Sequence, residues 1–107
     1  MGTGNDGHRP SKGVQEVGKR AVRWIEEGRA GQNFTRVGRR RAHQLAAGDR
    51  LSEEDVTKMK AYFARHEVDK DSQGFRRGEA GFPSPGRVAW DAWGGDEGRR
   101  WVDGMGQ

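Results

Sequence analysis

Apolar residues recur at helical spacing in several separated stretches of the chain. Val14, Val17, Ala21, Trp24 and Ile25 form the first set, and Gly28 stands where the C′ residue of a helix belongs, so a helix is predicted over 11–27. Gly13 and Gly18 inside it each cost about 1 kcal/mol relative to alanine. After a loop over 29–34, Thr35 offers a capping oxygen for a second helix over 36–47, closed by Gly48. Its apolar residues are few (Val37, Ala42, Leu45, Ala46), so it must lie against neighbours to be stable. The clearest start signal is Leu51-Ser52-Glu53-Glu54-Asp55-Val56, in which Ser52 caps, three acids complement the helix dipole and Leu51 staples onto Val56. The third helix then runs from 53 to about 67, with Val56, Met59, Tyr62, Phe63 and His66 on its inner face and Lys58, Lys60 and Arg65 outward.

Residues 68–81 are polar, glycine-bearing and aperiodic, which predicts a long loop with a role or mobility of its own. Ser84-Pro85-Gly86 reads as N-cap and helix entry for a short fourth helix holding Val88, Ala89, Ala92 and Trp93, stopped by Gly94-Gly95. Asp96 is positioned to cap one last turn through Trp101. Residues 1–10 contain no apolar side chain after Met1 and read as a flexible arm, and 104–107 as a flexible tail. No strand or repeat is predicted. The expected architecture is all-α: an irregular bundle of three main helices with a short tryptophan-rich helical lid, forming one domain over 11–103 that is closed when the lid folds over the first and third helices.

Composition sharpens this picture. Of 107 residues, 31% are hydrophobic and 34% charged, with eighteen glycines and a mean hydropathy of −1.11, close to the composition of disordered chains. The clustering of the aromatics between Trp24 and Trp101 argues for a thin but real core. Trp90, Trp93 and Trp101 fall within twelve positions; they either fill that core or anchor a partner. Net charge is +4, divided as +6 over 1–50 and −2 over 51–107. A basic N-terminal half suits a nucleic acid or an acidic protein surface. The absence of cysteine excludes disulfides and thiolate zinc sites. With no apolar run of roughly twenty residues and no signal-peptide core, a soluble protein with no membrane partner is expected.

The basic run supplies the first candidate site. Arg36, Arg39 and Arg40 share one helical face, Arg50 lies nearby, and arginine forks suit phosphate or carboxylate oxygens. The bland alternative is a solvated face with Arg41 lying over the core. The tryptophan segment with Arg99 and Arg100 supplies the second, as a contact surface built on Trp90, Trp93 and Trp101. Helices two and three resemble a helix-turn-helix in outline, but the third opens with acids that repel phosphates, so any nucleic acid falls to the second helix. Asp69-Lys70-Asp71-Ser72-Gln73-Gly74 begins like a calcium loop, yet Ala80 stands where a bidentate glutamate is required. His8, His43 and His66 are scattered, His66 being placed to cap carbonyls or pack on an aromatic. No catalytic, cofactor or metal residues are assigned, and no enzymatic activity is expected.

Phe63-Ala64-Arg65-His66-Glu67-Val68-Asp69-Lys70, followed by Pro83-Ser84-Pro85-Gly86-Arg87-Val88-Ala89-Trp90 and Trp93-Gly94-Gly95-Asp96, resembles a small domain of tailed bacteriophages and prophages. That domain occurs alone or appended to head proteins such as capsid, portal or maturation-protease chains. Val37-Gly38-Arg39-Arg40-Arg41-Ala42 and Leu51-Ser52-Glu53-Glu54-Asp55-Val56 are similar to its middle, and the resemblance covers about 20–101. It implies a virion-associated protein, in the host cytoplasm before assembly, and brings no catalytic residues. The leading expectation is a structural or interaction protein of the capsid or connector, with phage head proteins as partners. DNA bound non-specifically through the same arginines is the second expectation, and inhibition of a host protein the third.

Overall fold

The computed structural model describes residues 7–105. Five α-helices follow one another: α1 (Lys12–Glu26), α2 (Arg36–Ala47), α3 (Glu53–His66), α4 (Pro85–Ala92) and α5 (Gly95–Gly104). The all-α bundle is thus as expected, and its caps are the expected ones. Ser11, Thr35, Ser52 and Ser84 each accept a hydrogen bond from a backbone N–H of their own first turn, and Ser52 and Asp55 close a reciprocal capping box.

α1 is the spine. Val14, Val17, Ala21 and Ile25 are buried, and the helix packs most extensively on α2 and then on α4 and α5. Gly18, which weakens α1 in isolation, is what allows the two helices to meet. A Cβ there would stand 2.7 Å from the Ala46 amide nitrogen and 3.0 Å from the Leu45 Cβ. α2 and α3 make little direct contact, α2 resting on α1 and α4 and α3 on α5. The helix-turn-helix outline is therefore not formed.

Around this spine the core has two parts. Val14, Leu45, Leu51, Met59, Phe63, Phe75, Trp90 and Val102 make one, and Ala21, Ile25, Ala30, Ala42, Val88 and Ala92 the other. Half-buried Trp93 packs against both. The lid folds as expected, with α4 on α1 and α5 on α1 and α3. Its break is made by Gly94 and Gly95, with φ of 119° and 65°, values that non-glycine residues adopt only under strain.

Four segments differ from expectation. The 68–81 loop begins as a 3₁₀ turn over Glu67–Asp71 and continues as hydrogen-bonded turns. Its Glu79 carboxylate accepts from the amides of Gly74 and Arg76, and Phe75 is buried edge-on against Trp90. One aromatic at position 75 is enough to fold back a segment that shows no periodicity. Asp96 does not cap α5: Gly94 is its N-cap, without a side-chain bond, and the helix extends to Gly104. Asp96 instead accepts from the Trp90 indole N–H at 3.0 Å and pairs with Lys70 at 2.9 Å. At the N-terminus, His8 exchanges both backbone hydrogen bonds with Leu51, its ring meets Glu53 at 2.7 Å, and Pro10 is fully buried. Residues 7–10 of the expected arm thus dock on the start of α3, while 1–6 lie outside the described residues. Of the expected tail, Gly104 ends α5 and Met105 packs against the core; 106–107 lie outside the described residues.

Candidate interaction surface

α2 is amphipathic in a particular way. Gly38, Arg41, Ala42 and Leu45 are buried, which leaves Arg36, Arg39 and Arg40 exposed on the opposite side. Among the described residues none of these three, nor exposed Arg50, has a carboxylate partner. The Arg39 guanidinium lies 5.8 Å from the centre of the Phe34 ring, its one partner. Between Arg36 and Arg40 stands Val37, 46% exposed and one of two large hydrophobic side chains left in solvent among the described residues. Val37 and Arg40 share a groove of about 240 Å³ with Arg41, Gln44 and Asp55.

Arg41 differs from its neighbours. It is only 5% exposed, donates to the Gln44 amide oxygen at 2.8 Å, pairs with Asp55 at 3.3 Å and lies 5.1 Å over the Trp93 ring. Burial opposes ionisation of Asp55, but the Ser52 backbone N–H and Arg41 outweigh it and hold the carboxyl below its ordinary range. The bland reading has Arg41 reach over the core with its head in water; instead the side chain is buried and its guanidinium is held within the chain by Gln44, Asp55 and Trp93.

The tryptophans divide. Trp90 is 1% exposed, ringed by Phe63 at 5.0 Å and Phe75 at 6.0 Å with Lys70 over its face at 5.1 Å. Trp90 is therefore corrected from contact residue to core residue, because its whole surface is already used. Trp93 and Trp101 are half-buried, and both pack against the core. Arg99 is held by Glu67 at 3.0 Å and Asp103 at 3.9 Å, and Arg100 by Glu97 at 3.3 Å. The α5 arginines are thus engaged within the chain, in contrast to those of α2.

One cluster has no counterpart in the sequence reading. Asp91, 1% exposed, is clamped by Arg20 at 2.8 Å and by Arg87 at 3.2 Å, and Arg87 also donates to the Phe75 carbonyl at 2.8 Å. Burial pushes the Asp91 carboxyl above its ordinary range while Arg87 and Arg20 pull it back. The available signal was an acid set between Trp90 and Ala92 on an apolar helix face, with arginine one turn earlier at 87. His66, as expected, packs on an aromatic: it stacks on Tyr62 at 4.4 Å and bonds Asp69 at 3.1 Å. Among the described residues no group of three or more histidines and carboxylates is placed to hold a metal ion, the 69–74 segment included. Among the described residues no helix is long and apolar enough to cross a membrane.

No protein-family model, curated protein or solved structure matches the chain.

Proposed function

We propose that the chain is a non-enzymatic interaction protein of a tailed-phage particle, docking through the outer face of α2 onto an acidic surface of a head or connector protein. The phage setting comes from the resemblance of 20–101. The docking role is carried by one observation: Arg36, Arg39 and Arg40 stand side by side on one exposed helix face without a carboxylate partner; several other arginines also lack one, but among the described residues no other three share a helix face. Exposed Val37 among them favours a protein partner over a polyphosphate, because a phosphate backbone gives an apolar side chain nothing to pack on.

The second reading places a nucleic-acid backbone on the same arginines, since their forks fit phosphate as well as carboxylate. Co-sedimentation of the full chain with particles from the cell that carries it, compared with the Arg36→Ala, Arg39→Ala, Arg40→Ala triple variant, tests the first reading. Stoichiometric association lost in the triple variant is expected. Absence of the native chain from the particles, together with duplex binding whose log affinity falls by about 0.9 per phosphate neutralised as log salt rises, would replace it with the second.

A further inference from the structure

Gln15 lies against Gly48, and Gly18 against Leu45 and Ala46, so α1 and α2 run antiparallel. A groove of about 470 Å³ opens along their seam. Lys19, Val22 and Arg23 of α1 line one side of it, and His43, Ala46 and Ala47 of α2 the other. Each helix thus offers residues at i, i+3 and i+4. Val22, Ala46 and Ala47 make the lining apolar along its middle, and Lys19, Arg23 and His43 stand exposed beside them. Lys19 has one counter-charge, Glu16 at 3.3 Å, with both side chains exposed. Among the described residues Arg23 and His43 have none. The acids nearest in sequence, Glu16, Glu26 and Asp49, all lie outside the lining. On α2 Arg39 stands one turn before His43 and Arg36 three residues before Arg39, so the basic rim runs on into the face described above.

Three features of the lining select its occupant. Exposed cations with no carboxylate among them call for negative charge. The apolar side chains between them call for apolar groups on the same occupant, which a phosphate backbone lacks. Both walls are helices whose backbone N–H and C=O groups are bonded internally. An extended segment would therefore lay its own backbone groups on the apolar lining without partners, whereas a helix brings its bonds with it. Gly18 draws α1 and α2 together, and Ala46 and Ala47 add little bulk, so a third helix can come near. We propose that the seam between α1 and α2 receives an acidic amphipathic helix of the partner protein, its apolar stripe on Val22, Ala46 and Ala47 and its flanking carboxylates on Lys19, Arg23 and Arg39. This rests on the docking role proposed above, extends that face from α2 onto α1 and names the chemistry of the partner. A second copy of this chain offers no such helix among the described residues, since the large hydrophobics left in solvent are Val37, set among arginines, and Val68, outside the five α-helices.

The test is an amide-shift titration of the full chain by NMR with a synthetic peptide of about 18 residues, long enough to hold a helix, that carries leucine at i, i+3, i+4 and i+7 and glutamate on either side. A second peptide has the same residues reordered so that its leucines are spread around the helix, and duplex DNA is the third probe. The first peptide is expected to shift the signals of Val22, Arg23, His43, Ala46 and Ala47 and to bind about tenfold tighter than the second. Lys19→Ala with Arg23→Ala should weaken it about tenfold, the worth of two exposed ion pairs. Ala47→Glu, which puts an acid in the lining, should abolish the shifts. Absence of shifts at these residues, equal binding of the two peptides, undiminished binding by the double variant, or tighter binding of duplex DNA would each overturn the proposal. Particle co-sedimentation separates this from the docking role. Association lost in the Arg36, Arg39 and Arg40 triple variant but unchanged in the Lys19 and Arg23 double variant retains the docking role and overturns the groove. A chain that takes the peptide in the groove yet is absent from the particles retains the groove and removes the phage partner.

Discussion

Two sets of arginines divide the labour of this molecule. Arg20 and Arg87 close on buried Asp91 and tie α1 to α4 and to the Phe75 carbonyl. Arg36, Arg39 and Arg40 on α2 close on no carboxylate among the described residues. The residue type is identical, so the difference lies in what surrounds it. An arginine facing a buried carboxylate is part of the fold, and one facing solvent adds little to it. Removing members of each set separates the two roles.

The largest effect belongs to the clamp. Asp91→Ala leaves two guanidiniums, neither more than a third exposed, without their counter-charge, and breaking a pair of this kind by removing one partner is strongly destabilising. A loss of about 3 kcal/mol is expected in urea unfolding. A loss below about 1 kcal/mol would mean that water reaches the arginines and that Asp91 does not tie the helices together.

Next is the contact on which α2 rests. Gly18→Val raises helix propensity but puts a branched side chain where the Ala46 amide is 2.7 Å from the first added atom. Overpacking costs typically about 1–3 kcal/mol, so a net loss of about 2 kcal/mol is expected, with α2 displaced along with its arginines. Unchanged or increased stability would show that the α1–α2 spacing is adjustable and that the helix-propensity gain prevails.

How much of this was legible in the sequence follows from the reach of each signal. Caps and helix bounds were readable because Ser11, Thr35, Ser52 and Ser84 act within four residues of themselves. Arg36, Arg39 and Arg40 were readable as one face because helical spacing is local. The docking of 7–10, the burial of Phe75 and the Asp91 clamp were not, since each depends on a partner far along the chain: Leu51, Trp90 and Arg20 respectively. Asp96 shows the same limit from the other side. The helix starts at Gly95, one residue before Asp96, so Asp96 falls inside the first turn of α5 and its carboxylate goes to the Trp90 indole and Lys70. The groove between α1 and α2 was invisible for a further reason, because a groove is where side chains fail to meet, and no spacing encodes that.

Acid should reveal the structural ion pairs at a smaller scale. Asp55 and Asp96 have folded values below their ordinary 3.8, so their contribution is present above about pH 4 and is lost as pH falls through the folded values. Asp91, raised by burial, works in the opposite sense and offsets part of that loss. Comparing urea midpoints at pH 6 and pH 3, the native chain should lose more than Asp96→Asn, which has no proton to gain at position 96. Equal losses would show that Lys70 and Trp90 do not depress Asp96.

The smallest effect on stability is the most informative about function. Replacing Arg36, Arg39 and Arg40 by alanine removes no ion pair and no buried atom, and alanine is the better helix former, so unfolding should shift by no more than about 0.5 kcal/mol. A stability loss of 2 kcal/mol or more would mean that the three arginines are structural after all, on a par with Arg20 and Arg87, and would end the distinction between the two sets. A neutral outcome leaves the fold without a use for three adjacent charges on one helix face. Their mutual repulsion is then a cost to the folded chain that added salt or an anionic partner would relieve, so the stability of the native chain should rise slightly with salt relative to the triple variant.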